Sequence, residues 1–151
     1  MTRIGPLDKN KINNFLADIE SSLVKLKIVA NKPKEILDHA EQYAIAEHYL
    51  RRALEGILTV GTHIVSRLPT KTKDYQEIII TLGKHGIIPV DFAEKNRKLA
   101  GYRNRLVHLY WEIDSEEMHQ LLNEHLGDLE AFCDYFKQVL ARPQDFNLTL
   151  E

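Results

Sequence analysis

Apolar residues recur every three or four positions through the first half of the chain, which is the spacing of amphipathic α-helices. The first stretch predicts a helix over about residues 8–30, with six apolar positions: Ile12, Phe15, Leu16, Ile19, Leu23 and Leu26. Pro33 can open a second helix, which the same spacing extends to about residue 68. Its apolar positions are Ile36, Ala40, Tyr43, Leu50, Leu54, Ile57, Gly61 and Ile64. The pattern therefore predicts two long helices, and Glu47 is the position that breaks the second one.

The second half of the chain begins with a short helix and a longer one. The short helix is expected over about residues 74–84, and the segment LGKHGIIP supplies glycines that suit its C-cap. A fourth helix begins near Pro89 and runs into the segment YWEID at residues 110–114. Part of its apolar side consists of Phe92, Leu99, Leu106 and Val107.

The last predicted helix has a recognisable start and end. Asp114 followed by Glu117 fits a capping box in which Asp replaces the usual Ser or Thr. The helix is expected over about residues 115–140, and Pro143 ends it. Residues 143–151 have no strong pattern, so we expect them to form a loose tail.

These elements describe an all-α fold, an antiparallel helical bundle of four long helices and one short helix. The segment EIIIT at residues 77–81 is rich in β-branched residues, but its flanks are helical in pattern. The sequence shows no internal repeat and no boundary between domains. We therefore expect one domain over residues 1–151.

Composition limits the classes of protein to consider. A chain of 151 residues with 44% apolar content can bury a core without disulfides or a metal. No segment has the length and apolar character of a signal peptide or of a membrane span, so we expect a soluble, cytoplasmic protein that does not bind membranes. The single cysteine, Cys133, lies on an apolar helical face and is expected to be buried and inert.

The overall charge gives no sign of nucleic-acid binding. Twenty basic and twenty-two acidic residues leave a net charge of -2. Any site for RNA must therefore be local. The segment from residue 94 to residue 114 is the candidate, because five cations precede His108 there: Lys95, Arg97, Lys98, Arg103 and Arg105.

A charge run on a helix is more often a solvated face than a binding site. Here, however, four groups with complementary chemistry lie within eight residues. Arg103 can hold a phosphate with two hydrogen bonds, and Asn104 can orient it. His108 titrates near neutral pH, and Tyr110 adds a phenol. The combination favours a site that acts on a phosphodiester.

The spacing of Arg103 and His108 poses a geometric problem, because five residues of an ideal α-helix turn the two side chains about 140° apart. They converge only through a distorted helix end, a curled arginine or a second chain. A two-fold dimer would place both copies of each residue in one cleft. Two imidazoles could then act as base on the 2'-hydroxyl and as acid on the departing 5'-oxygen, while the arginines stabilise the phosphorane without metal.

The order Arg103, Asn104, three residues, His108, one residue and Tyr110 resembles the R-X4-H-X-Y motif of HepT-like toxins of the HEPN superfamily. The flanking residues are also similar to that family over roughly residues 82–114. The resemblance implies a HEPN-like homodimer that acts as a metal-independent endoribonuclease, the toxin of a two-part, type II-like toxin/antitoxin system. It implies Arg103, Asn104 and His108 as catalytic residues, and we expect the other cations of the run, Lys95, Arg97, Lys98 and Arg105, to bind RNA.

The resemblance also implies a partner, an MNT-type nucleotidyltransferase antitoxin that transfers AMP from ATP onto Tyr110. The added phosphate would fill the cleft with negative charge and exclude RNA. The chain itself would need no cofactor, because ATP is consumed by the partner. None of the other six histidines lies in a metal-ligand pattern, so no metal site is expected.

Simpler interpretations of the same residues remain open. His108 alone would usually be a structural imidazole, and Tyr110 could be an aromatic residue of an interface. Glu47 points into the predicted apolar seam, where an unpaired carboxylate is costly. Either Glu47 faces the dimer cleft, where it could orient His108 or pair with an arginine, or the row of apolar positions on the second helix ends before it. The alternative function is a non-catalytic helical adaptor that dimerises and binds a nucleotidyltransferase.

Overall fold

The structure, a computed structural model, describes residues 5–108 and 113–151. These residues form six α-helices and two short 3-10 helices, with no strand beyond an isolated bridge. The α-helices are α1 (Lys9–Ala30), α2 (Ala40–Val65), α3 (Tyr75–Lys84), α4 (Val90–Asn96), α5 (Leu99–Val107) and α6 (Ser115–Ala141). The 3-10 helices are Lys34–Asp38 and Pro143–Phe146. The predicted all-α bundle is therefore confirmed.

Helix α2 lies at the centre of the bundle, where it packs against α1, α3, α5 and α6. It runs antiparallel to α1: Asp18 of α1 pairs with Arg52, and the backbone N–H of Asp8 donates to His63 near the far end of α2. The largest fully buried side chains are Phe132 and Phe136 of α6, which belong to one core cluster with α1 and α2. Burial of these apolar faces is the main stabilising contribution to the fold.

The predicted first, third and last helices match the observed ones within about one residue at each end. Asp8, Asp74 and Asp114 each accept a backbone hydrogen bond three residues ahead, which fixes the starts of α1, α3 and α6. The predicted capping box at α6 is only half formed. The side chain of Glu117 does not return to the cap, because it pairs with Arg105.

The glycine C-cap predicted after α3 is present. Gly86 has a φ of 73°, a left-handed conformation that glycine adopts without strain. The N–H of Gly86 donates to the carbonyl of Gly83, and the N–H of Ile87 donates to that of Leu82. This is the Schellman pattern, and the burial of both Ile87 and Leu82 supplies its apolar contact.

The prediction of one long second helix from residue 33 to residue 68 is wrong at the start of that helix. Residues Lys34–Asp38 form a 3-10 helix, and His39 is extended before α2 begins. The turn at His39 redirects the chain so that Leu37 is buried where the 3-10 helix packs against α6. Glu47 does not point into the seam as predicted. It is exposed, and Ala46 occupies the buried position beside it.

The fourth predicted helix is also two helices, because α4 ends at Asn96 and α5 begins at Leu99. Asn96 is completely buried, and its amide donates to the carbonyl of Phe92 while its oxygen accepts from His125 of α6. This contact holds the end of α4 against α6, and the chain turns at residues 97–98. Helix α5 then ends at Val107, before the YWEID segment into which the helix was expected to run.

The chain end packs on the bundle, whereas its weak sequence pattern suggested a loose tail. After the 3-10 helix Pro143–Phe146, Leu148 is buried. The backbone N–H of Leu7 donates to the carbonyl of Thr149, and the N–H of Glu151 donates to the carbonyl of Leu7. These bonds tie the two ends of the described chain together.

Gly56 of α2 provides a test of the packing between α1 and α2. A Cβ atom at this position would lie 2.5 Å from Cγ1 of the buried Ile19, whereas a Cβ at Gly127 of α6 would have nothing within 4 Å. Both Gly→Ala changes gain helix propensity, but only Gly56→Ala overpacks the core. We expect Gly56→Ala to be less stable than Gly127→Ala by about 1–3 kcal/mol.

Urea denaturation of the two variants, with the wild type alongside, measures this difference. Gly127→Ala is the matched control and should be at least as stable as the wild type. Equal stability of the two variants would show that the helices do not pack as closely at Gly56 as the structure indicates.

Candidate active site

The candidate site is built on α5, a helix of nine residues. Only three of its side chains are buried: Leu99, Ala100 and Leu106. They pack the helix against α2 and α3. The polar residues between them are left on the surface, among them Arg103, Asn104 and Arg105.

Arg103 is held between α2 and α3. Its guanidinium carbon lies 5.0 Å from the centre of the Tyr75 ring, within the range of a cation–π contact. Its Nη2 lies 3.9 Å from Oε1 of Glu55, and its Nη1 donates to Oδ1 of Asn104 at 3.2 Å. The side chain is 23% exposed. Arg103 is therefore oriented by its neighbours, but its ion pair with Glu55 is long enough to be exchanged for a phosphate.

His108 follows the last residue of α5 and has an extended backbone conformation. Its N–H donates to the carbonyl of Asn104 at 2.9 Å, and its imidazole is exposed. The two side chains do not converge within the described residues: His108 lines a cavity with Glu47 and Arg105, whereas Arg103 lies beside Glu55 and Tyr75.

His108 lines a cavity of about 500 Å³ between α2, α5 and the start of α6. The size falls within the range of roughly 300–1,000 Å³ found for ligand-binding clefts. Its lining residues include Asp38, Tyr43, Glu47, Arg105, Asp114 and Ser115. Arg103 is not among its described lining residues. Asn104 lines a second cavity, of about 390 Å³, with Tyr75 and Thr62.

Arg105 is the cation that shares the cavity with His108. Its Nη1 and Nη2 donate to the two carboxylate oxygens of Glu117 at 2.5 and 2.7 Å, a two-pronged contact. The hydrogen bonds that Arg105 donates to Glu117 raise the pKa of its guanidinium above the ordinary value. Its carbon also lies 5.8 Å from the centre of the Tyr102 ring.

The three other cations expected to bind RNA are exposed, and each faces a carboxylate. Lys95 lies 3.0 Å from Asp128, Arg97 lies 3.5 Å from Glu94, and Lys98 lies 3.5 Å from Glu124. Exposed pairs such as Arg97–Glu94 and Lys98–Glu124 contribute only about 0–1 kcal/mol each, whereas Asp128 is only 16% exposed. A phosphate can therefore replace Glu94 or Glu124 at little cost in stability.

Behind the cations lies a buried polar contact that the sequence reasoning missed. His125 of α6 is 1% exposed, and its Nδ1 donates to Oδ1 of Asn96 at 3.0 Å. Burial lowers the pKa of His125, and the nearby charge of Lys98 lowers it further, against the opposing effect of Asp128 and Glu124. Neither residue stood out in the sequence, because the contact joins positions 29 residues apart.

Tyr110, the predicted acceptor of AMP, lies outside the described residues. The described chain resumes at Ile113, whose carbonyl accepts a hydrogen bond from the hydroxyl of Tyr43. This bond joins Ile113 to α2.

Three further findings bear on the class of protein. Within residues 5–108 and 113–151, no cluster of His, Cys, Asp and Glu side chains has the arrangement of a metal site. No helix in the same ranges is long and apolar enough to span a membrane. Cys133 is buried as expected, and burial raises the pKa of its thiol to about 12.

The described residues thus form an antiparallel helical bundle with an arginine on a short helix and a histidine just beyond the end of that helix. A family model described as "Ribonuclease HepT-like" matches residues 18–136. The chain belongs to this HepT-like ribonuclease family, which confirms the resemblance inferred from the motif and, with it, the prediction of an RNA-cleaving enzyme.

Two curated relatives and one solved structure illustrate the likeness. The tRNA nuclease HepT of Aphanizomenon flos-aquae is 31% identical over 118 residues, which are 78% of this chain and 76% of that protein. The mRNA nuclease HepT of Shewanella oneidensis is 26% identical over 92 residues, 58% of this chain and 67% of that protein. The tri-AMPylated HEPN toxin of Shewanella oneidensis, solved in complex with MNT antitoxin, superposes with a TM-score of 0.77. It is 21% identical, and the match covers 86% of this chain and 98% of that one, so it confirms the HEPN-like fold.

The buried histidines predict how stability depends on pH. The pKa of His125 is lowered by burial and Lys98, and that of His63 is lowered by burial, Arg67 and Lys11. The unfolded chain takes up protons on these imidazoles near the ordinary pKa of about 6.5, whereas the folded chain does not. The free energy of unfolding should therefore decrease as the pH falls below about 6.5.

Urea denaturation of wild type and His125→Gln at several pH values between 7.5 and 5 measures this effect. The variant should lose part of the pH dependence, because Gln can still bond to Asn96 but does not titrate. His85→Gln, at an exposed position, is the control and should keep the wild-type dependence. An equal dependence in His125→Gln and wild type would contradict the assignment.

Proposed function

We propose that this chain is the toxin of a two-part, type II-like toxin/antitoxin system and cleaves RNA without metal, using Arg103, Asn104 and His108 as catalytic residues. The observation that carries the proposal is the end of α5. It leaves the imidazole of His108 exposed on a cavity while Arg103 is oriented nearby by Tyr75, Glu55 and Asn104. A titratable base and a positioned cation are what cleavage by the 2'-hydroxyl requires.

The working unit we propose is a homodimer. Along α2, Arg103 lies opposite Glu55, whereas His108 shares its cavity with Glu47. Arg103 is not among the described residues that line the cavity of His108. Within one chain the two groups therefore serve different parts of the surface. A second copy related by a two-fold axis would supply the missing group to each cleft.

The proposed reaction needs only groups of the protein. A base removes the proton of the 2'-hydroxyl, whose oxygen attacks phosphorus. The 5'-oxygen leaves with a proton from an imidazolium, and arginine stabilises the charge on phosphorus. The products are a 2',3'-cyclic phosphate and a 5'-hydroxyl.

We assign binding of the RNA backbone to Lys95, Arg97, Lys98 and Arg105. Three of these cations already pair with a carboxylate. In the bound state, a phosphate of the RNA takes the place of Glu94, Glu124 or Asp128 as the partner of the cation. The two curated relatives are named as a tRNA nuclease and an mRNA nuclease. We therefore propose that the substrate is a folded RNA or a messenger RNA.

The proposed control of the toxin is adenylation of Tyr110. The tri-AMPylated state of the structural neighbour and its complex with MNT antitoxin support a nucleotidyltransferase partner that transfers AMP from ATP. Tyr110 is two residues from His108 in the sequence. Phosphate added there would bring negative charge to the cleft and exclude RNA.

Replacement of the catalytic pair tests the activity. His108→Ala and Arg103→Ala should each lower the rate of RNA cleavage by about 10²-fold or more, since a proton-transfer group is typically worth 10²–10⁴-fold. Both side chains are at least partly exposed, so circular dichroism should show folded variants. Products are measured by end-group analysis of RNA in the presence of EDTA.

His85→Ala is the matched control for this experiment, because His85 is an exposed histidine outside the candidate site. It should cleave RNA at the wild-type rate and arrest growth. Cleavage by His108→Ala at the same rate would overturn the assignment, and a loss of cleavage in EDTA would overturn the metal-free mechanism.

Mass spectrometry tests the modification separately. After incubation with the cognate nucleotidyltransferase and ATP, AMP should be found on Tyr110, and the modified protein should no longer cleave RNA. Tyr110→Phe should escape modification, whereas Tyr102→Phe should be modified like the wild type. AMP on another residue would disprove this part of the proposal.

A further inference from the structure

The cavity that His108 lines contains a second ionisable side chain with unused hydrogen-bonding capacity. Glu47 of α2 is exposed on this cavity and forms no hydrogen bond or ion pair with the described residues. It is therefore available to a bound substrate.

The other polar groups of the cavity are already engaged. Asp38 accepts from the hydroxyl of Ser115 at 2.7 Å, and Asp114 accepts from the backbone N–H of Glu117 at 2.8 Å. Arg105 is held by Glu117, and the hydroxyl of Tyr43 donates to the carbonyl of Ile113. Together with His108, these are the charged and titratable groups among the described residues that line the cavity with Glu47.

An unpaired carboxylate beside a phosphate site repels the negatively charged substrate. A hydrogen bond that the substrate donates to the carboxylate would offset this repulsion. A carboxylate is a hydrogen-bond acceptor, and the donor that an RNA strand brings next to its scissile phosphate is the 2'-hydroxyl. A carboxylate and an imidazolium together supply a proton acceptor and a proton donor. Such a pair is suited to the two proton transfers of RNA cleavage.

We infer that Glu47 is a further catalytic residue, the base that deprotonates the 2'-hydroxyl while His108 of the same chain acts as the acid. This inference rests on the proposed function. The 2'-hydroxyl proton passes to the carboxylate of Glu47, and the 2'-oxygen forms a bond to phosphorus. The bond from phosphorus to the 5'-oxygen breaks, and that oxygen takes the proton of the His108 imidazolium. Water then restores both protonation states by proton exchange.

This division of roles changes what the second chain must provide. If Glu47 is the base, the second His108 is not needed for proton transfer. The partner copy then contributes Arg103, because Arg103 of the same chain is not among the described residues that line the cavity.

The pH dependence of single-turnover cleavage distinguishes the two mechanisms. In the wild type the rate should fall at low pH, where the base is protonated, and at high pH, where the acid has lost its proton. Glu47→Gln should be slower by about 10²–10⁴-fold and should lose the fall at low pH, while the fall at high pH remains. Glu41→Gln, an exposed change on the same helix, should keep the wild-type rate and profile.

Binding of an RNA that carries a 2'-O-methyl group at the cleaved nucleotide provides the second measurement. Glu47→Gln should bind it at least as tightly as the wild type, because a repelling charge is removed. Weaker binding, by the same factor as the loss in rate, would show that Glu47 only holds the substrate. An unchanged rate or an unchanged profile would overturn the role of Glu47 and leave the proposed function intact. No cleavage by the wild type would overturn the proposed function and this role with it.

Discussion

The packing of α5 along α2 is the contact on which the candidate site depends. Helix α5 buries only Leu99, Ala100 and Leu106, so it has little core of its own. Its place is fixed by α2, which is itself held on several sides by α1, α3 and α6, and by the buried contact between Asn96 and His125 just before α5 begins. Helix α5 is short and is held in place at its start. It carries an arginine that its neighbours orient, and the residue immediately after the helix is an exposed histidine.

This arrangement explains why the site is divided along α2. Two carboxylates of α2 lie near different residues of this region: Glu55 is beside Arg103, and Glu47 is on the cavity of His108. In the proposed mechanism, a second copy of the chain would bring the arginine to that cavity, so that the activity would depend on dimerisation as well as on the individual residues.

The parts of the fold that local sequence determines could be predicted, and the parts that distant contacts determine could not. Spacing and caps gave α1, α3 and α6, because Asp8, Asp114 and Gly86 act within a few residues of their own positions. The break between α4 and α5 follows Asn96, whose buried hydrogen bond with His125 joins positions 29 residues apart, and no local pattern could reveal that contact. The site followed the same rule: the run of cations was visible in the sequence, but the carboxylate opposite each cation was not. Glu47 was noticed only because it broke a pattern.

The paired carboxylates also explain how a chain with a net charge of -2 can act on RNA. Each cation of the run already has a carboxylate partner, so the free protein carries no strong positive field to attract any polyanion. A phosphate that replaces a carboxylate gains a contact only where the RNA backbone matches the spacing of the cations. In the proposed binding of RNA by these cations, geometry would therefore contribute more to recognition than overall charge does. A phosphate added at Tyr110, as proposed, would compete with RNA for the same cations, so one modification would be enough to exclude RNA.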